Sequence, residues 1–236
     1  MLLIITFLLS LVILNLKKGL IESSIRSILI FSFSIVFITE ILSLFKCINV
    51  IGIYTAWSLM ILICWYLIFK KKKENFSHVM FELKKLQTTF QYNFSKIEKG
   101  YVLIIFIFLF LLFLQGILYP PNNWDSLTYH MSRIMFWIGN ESVNHFPSHI
   151  LRHLYQPPFA EFVIMNVNLL NGNDYFSNSV QLLFLFGSVL VTWQILTLFD
   201  FSRRLKLLAL LLLLSIPTII LQATNTKNDI VAGFFI

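Results

Sequence analysis

Apolar residues fall along this chain in long unbroken runs, not in the spaced patterns of elements that meet water on one side. Mostly apolar runs cover roughly 2–16, 26–46, 50–69, 101–118, 176–199 and 207–222. A helix needs about 20 such residues to cross bilayer hydrocarbon, so the pattern predicts six membrane-spanning helices. No basic residue precedes the first run and no small-residue cleavage site follows it, so it reads as a retained anchor and not as a signal peptide. A seventh run opens near Ile230 and is still apolar at Ile236, which predicts a truncated span and a piece of a longer protein. The expected fold class is all-α, a polytopic integral membrane protein.

Composition narrows the classes. Of 236 residues, 58% are hydrophobic, only 12% are charged, and 25 are Phe. Soluble domains carry roughly 25% charged residues, so this chain lacks the charge to cover a water-facing surface. A soluble enzyme, a disordered chain and a nucleic-acid module are excluded. Cys47 and Cys64 make neither a disulfide framework nor a zinc-finger spacing.

The net charge of +7 matters through its placement. Lys17, Lys18, Arg26, Lys70, Lys71, Lys72, Lys73, Lys84, Lys85, Lys96, Lys99, Arg203, Arg204 and Lys206 lie at one set of connections. Lys46, Arg133, Arg152 and Lys227 lie at the other. Basic residues collect on the cytoplasmic side, so the first set is predicted cytoplasmic, and loops 119–175 and 223–229 are predicted to face outward together. A span over 157–171 would reverse Arg203, Arg204 and Lys206. That run also carries Glu161, Asn166 and Asn168, so it is predicted to be a short juxtamembrane or partly inserted helix.

Three regions follow. Residues 1–70 hold three spans, 71–100 a basic cytoplasmic segment, and 101–236 the remaining spans with their outward loops. In the basic segment Phe76, Val79, Met80, Leu83, Leu86 and Phe90 recur at helical spacing beside Lys84 and Lys85. This fits an amphipathic helix on an anionic leaflet, or equally a helix packed on neighbouring spans.

The outward stretch 119–159 concentrates the polar chemistry, with His130, His145, His149 and His153, Asp125, Arg133, Glu141 and Arg152 between two Pro-Pro pairs. Long loops are usually functional. Asp125 follows the stiff exit Tyr119-Pro120-Pro121 and stands beside Trp124, an interface anchor. It reads either as a general base at the membrane surface or as a helix N-cap with Ser126. After it, Tyr129, Ile134, Trp137 and Ile138 fit one apolar helical face, with His130 and Arg133 on another. His145, His149 and His153 are spaced to share a helical face, a metal-like or phosphate-binding pattern with Arg152 that Pro147 interrupts. No metal site is predicted, although a divalent ion is compatible with these residues. In the second connector, Lys227 is a candidate phosphate contact. Asp229 is a second carboxylate, or an acid favoured by a helix dipole. Glu40 is a carboxylate within a span, near its outer end.

The order of a span, Pro120-Pro121-Asn122-Asn123-Trp124-Asp125-Ser126-Leu127-Thr128-Tyr129-His130, then Gln156-Pro157-Pro158-Phe159, then Gln222-Ala223-Thr224-Asn225-Thr226-Lys227-Asn228-Asp229 resembles the polytopic GT-C glycosyltransferases. It is most similar to their protein mannosyltransferase and aminoarabinose transferase type. The resemblance covers about residues 101–236. It implies an inverting sugar transferase of the plasma membrane with a polyprenyl-phosphate sugar donor, a lipid or glycan acceptor and no organic cofactor. It implies Asp125 as catalytic base and Asp229 as a second acid. The family often carries a second acid directly after the first; here Ser126 stands there. His130, Arg133, His149, Arg152, Gln156 and Lys227 are the candidate substrate-binding residues. The other reading of the same chain is a non-catalytic polytopic protein, such as a transporter of lipid-linked glycans or a polymerase partner.

Overall fold

The computed structural model describes residues 1–89 and 94–236. These form an all-helical bundle. Helices α1 (Leu2–Asn15), α2 (Leu20–Leu44) and α3 (Val50–Lys70) pack together. The fully buried Trp57 of α3 anchors them, with the Phe7 and Phe31 rings at 5.2 and 5.8 Å. In α2, the buried Ser23, Ser27, Ser32 and Ser34 return their hydroxyls to carbonyls one turn back. Each polar group is thereby satisfied without a partner helix, and the small side chains allow close approach.

A second group is built from α5 (Lys96–Leu118), α9 (Val180–Leu198), α10 (Arg203–Ser215), α11 (Pro217–Ala223) and α12 (Asp229–Phe235). Leu112, Leu182, Leu185, Val189, Leu210 and Leu214 form its core. Helix α5 starts at a capping box in which Ser95 and Glu98 exchange hydrogen bonds. On α9, a Cβ at Gly187 would lie 2.6 Å from the Phe234 ring, so the bare glycine lets α12 lie close.

Two predicted spans are revised. Helix α1 has 14 residues, about 21 Å of rise, short of the roughly 30 Å hydrocarbon layer; the chain leaves it at Lys17-Lys18 and turns at Gly19, φ 88°. The run 207–222 is not one rod. Helices α10 and α11 meet at a 69° bend, where Pro217 has no N–H to continue the ladder. Among the described residues four helices are thus long and apolar enough to cross a membrane, or five with the bent pair taken as one span, in place of the six predicted. The protein is a multi-pass membrane protein.

Helix α4 (Lys72–Thr88) leaves Phe76, Met80, Leu83 and Leu86 exposed and turns Asn75 and Glu82 inward. Its apolar side chains are therefore not covered by neighbouring spans. Phe90, the last residue of that predicted face, lies outside the described residues.

The connections sort into two ends. At one, Lys17 pairs with Glu74 at 2.8 Å and Lys206 donates to Thr197. At the other, Ser43 meets Ser142, Asn49 donates to Glu141, Asn178 donates to the Tyr119 carbonyl and Thr226 donates to Ser126. The second end, hereafter the outer end, holds both connectors predicted to face outward and is poor in basic residues.

Candidate functional site

The outer end is assembled on α8 (Phe159–Asn171), a short apolar helix buried over nearly its whole length. It follows Pro157-Pro158 and ends at Gly172 in the left-handed region, φ 70°, a common helix stop. Its length excludes a full span, as expected. Asn166 fixes its rotation: Oδ1 accepts from Trp57 Nε1 at 3.0 Å and Nδ2 donates to Thr39 Oγ1 at 3.0 Å. Tyr54 Oη donates to the Leu170 carbonyl.

Against α8 lies a π-helical turn, Ser126–His130, that runs into α6 (Met131–Gly139). The backbone start of this element is capped by Asn123, whose Oδ1 accepts from Ser126 N at 2.8 Å. Asp125 makes no capping bond. The N-cap expected of Asp125 therefore belongs to the residue two positions earlier, and the aspartate is left for other partners. The expected polar face is also reversed. His130 and Arg133 point inward with Tyr129, Ile134 and Trp137, while Leu127 and Met135 are exposed. An inserted helix behaves this way, hiding polar groups from lipid.

Beneath the surface the inward groups pair with Glu161 of α8. His130 Nδ1 lies 2.9 Å and Arg133 Nη1 3.6 Å from Glu161 Oε1, and all three residues are buried. Arg133 stacks on the Trp137 ring, its Cζ 4.6 Å from the centroid, and donates to the Gln156 carbonyl at 3.0 Å. His130 Nε2, Arg133 Nε and Glu161 Oε2 are buried without hydrogen-bond partners. Sequence reasoning saw Glu161 only as an obstacle to spanning. The signal for more was there, since a carboxylate in an apolar run is costly and normally paired.

Above this layer three segments meet at Asp125. Lys227 Nζ lies 2.9 Å from Asp125 Oδ2 and Arg152 Nη1 3.1 Å from Asp125 Oδ1. The hydrogen bond from Lys227, which outweighs the opposing effect of burial and is joined by the Lys227 and Arg152 charges, holds the Asp125 carboxyl below its ordinary pKa of 3.8. The Arg152 guanidinium sits over the Tyr129 ring. Burial and then the Asp125 charge push the Tyr129 phenol up to about 12, so its proton stays in place at neutral pH. Gln156 bridges the layers: its carbonyl holds Arg133, and its Oε1 faces Asn228 Nδ2 at 3.5 Å.

Arg152, at the start of the one-turn helix α7 (Arg152–Tyr155), and Lys227 thus converge on Asp125, Gln156 contacts Asn228, and His130 and Arg133 lie in the layer below. His149 does not join them. It is exposed in a non-helical stretch, as is His145, whereas His153 is buried between the hydroxyls of Ser132 and Ser148. The expected helical histidine face is absent because residues 143–151 are not helical around Pro147. Among the described residues no three His, Cys, Asp or Glu side chains form a metal-binding group. Asp229 opens α12 in its first turn, where the dipole favours an acid, and it makes no ion pair among the described residues. It lines a different cavity, of ≈ 330 Å³, with Gln222, Ser188 and Thr218. Sequence reasoning also missed Gln181 of α9, which donates to Asn225 and accepts from the Ile230 amide, fixing the second connector.

No protein-family model, curated protein or solved structure matches the chain.

Proposed function

We propose that this outer-face cluster is the site of a membrane glycosyltransferase of GT-C type, which moves a sugar from a polyprenyl-phosphate donor in the plasma membrane to a lipid or glycan acceptor. The observation that carries the reading is the pair of cations, Arg152 and Lys227, held by one carboxylate where two outward connectors meet. A polyprenyl chain lies in the bilayer, so its sugar-phosphate bond is presented at the headgroup level. Arg152 and Lys227 are placed to exchange Asp125 for the donor phosphate and offset the charge that grows on it as the glycosidic bond breaks. That exchange frees Asp125 to take the acceptor hydroxyl's proton. With a phosphate as leaving group, no covalent enzyme intermediate is needed.

The test is transfer from defined polyprenyl-phosphate sugars by the chain in membranes. Asp125→Asn should abolish transfer while insertion is unchanged; full activity in that variant refutes the base role. A second reading is favoured by the double pairing itself. A carboxylate saturated by two cations is also a staple between loops, as a non-catalytic glycan transporter or polymerase partner would need. In that case no donor supports turnover and Asp125→Asn only loosens the outer end.

A further inference from the structure

Gln156 also lines a cavity of ≈ 390 Å³. That is within the roughly 300–1,000 Å³ of small-ligand sites. Its wall has three parts. Glu40 comes from α2, Arg133 and Trp137 come from α6, and the rest runs through Val143–Phe146 and His153–Pro158 to Phe162. Three observations define what would fit.

The guanidinium is fixed in advance. Arg133 is 4% exposed, stacked on Trp137, tied to the Gln156 carbonyl and partly neutralised by Glu161. Its Nε–H still lacks a partner. Opposite charge stands in the same wall, because Glu40 is exposed on its helix and has no ion-pair partner among the described residues. A free anion would meet that carboxylate, and a free cation would meet Arg133. The amides of Asn144 and Gln156, the His145 imidazole and the Tyr155 hydroxyl offer both donors and acceptors, between apolar surfaces from Trp137, Phe146 and the two prolines. His153 stays uncharged at neutral pH because burial lowers its pKa.

We infer that this cavity binds a neutral sugar unit, whose hydroxyls can use carboxylate, guanidinium and amides together while its C–H faces meet the aromatic and proline surfaces. Resting on the transferase reading, the sugar belongs to the acceptor, because Gln156 joins this wall to the Asn228–Lys227 connector and so to Asp125.

The experiment measures tryptophan emission of the full chain in nanodiscs as maltose, lactose and N-acetylchitobiose are titrated, with Trp137→Phe identifying the reporting ring. Saturable binding of at least one disaccharide is expected. Glu40→Ala should weaken it about tenfold, the loss of a charged hydrogen-bond partner, and Asn144→Trp should abolish it by filling the cavity. Both positions are exposed, so folding should persist; an unchanged melting temperature confirms that. Absence of saturable binding by all three sugars overturns the inference, as does binding indifferent to both substitutions. Binding of inorganic phosphate that strengthens in Glu40→Ala overturns it too, as an anion site. The Asp125→Asn protein separates the two proposals. Binding retained there without any transfer by the parent chain leaves the sugar site standing and removes the transferase. Transfer unaffected by Asn144→Trp does the reverse.

Discussion

Lys227 Nζ stands 2.9 Å from Asp125 Oδ2, a contact between residues a hundred positions apart that ties the two outer connectors together. With Arg152 on the other oxygen, one carboxylate organises three segments. If the cations hold phosphate during turnover, Lys227→Ala and Arg152→Ala should raise KM for a polyprenyl-phosphate sugar and lower kcat. Asp125→Asn should abolish turnover while donor binding persists. Steady-state transfer and donor-binding assays distinguish these patterns.

The same pair sets a pH dependence. The Asp125 carboxyl has a folded pKa below its ordinary 3.8, so the stabilisation is complete above the unfolded value and is lost as pH falls through the folded one. Both partners are partly exposed, which limits the effect to about 1 kcal/mol. The melting-temperature advantage of the native chain over Asp125→Asn should hold above the ordinary carboxyl range and shrink as pH falls below it. An advantage that grows on acidification contradicts the pairing.

Glu161 is buried with His130 and Arg133 on the same oxygen. Removing it strands a buried guanidinium, and breaking such a pair costs about 3–5 kcal/mol. Glu161→Ala should therefore aggregate or melt early on fluorescence-detected gel filtration. Glu161→Ala with Arg133→Met should recover part of the loss, since no unpaired charge remains. A double variant no better than the single one refutes the account.

Loss of the cap at Asn123 should be felt at the π-helical turn. Asn123→Ala removes the acceptor for Ser126 N and should cost about 1 kcal/mol. Asp125→Ala should not alter this helix start. Hydrogen exchange at Ser126 and Leu127 reads the difference directly.

Sidedness is open to labelling. In a chain lacking Cys47 and Cys64, Asn122→Cys and Lys227→Cys should react with an impermeant maleimide from one face of the membrane. Lys18→Cys and Lys84→Cys should react from the other. Opposite-face labelling at 122 and 227 removes the shared site.

The sequence made the placement of spans and the pairing of connectors legible because unbroken apolarity and basic-residue bias are both one-dimensional signals. Arg152 and Lys227 stood out as rare cations of the connectors predicted to face outward, and both pair with Asp125. What stayed hidden depends on three-dimensional partners. The amphipathic reading of 126–139 assumed water on the polar side, whereas Glu161 supplied a buried partner and let His130 and Arg133 turn inward. Asp125 and Asn123 are both competent caps, and only backbone geometry chose between them. The histidine spacing was read as helical, and residues 143–151 are not helical. Unbroken apolarity overstated α1, which ends at the polar Lys17-Lys18 turn after 14 residues.

Helix α8 cannot rotate without breaking the bonds from Asn166 to both Trp57 and Thr39. The outer platform therefore behaves as one solid piece with the first three helices. The opposite wall is held by Gln181, which bonds Asn225 and the Ile230 amide, and by Thr226, Lys227 and Asn228. Displacing the stretch from Thr224 to Asn228 would break its contacts to Ser126, Asp125 and Gln156 together, so the second connector is latched to the first.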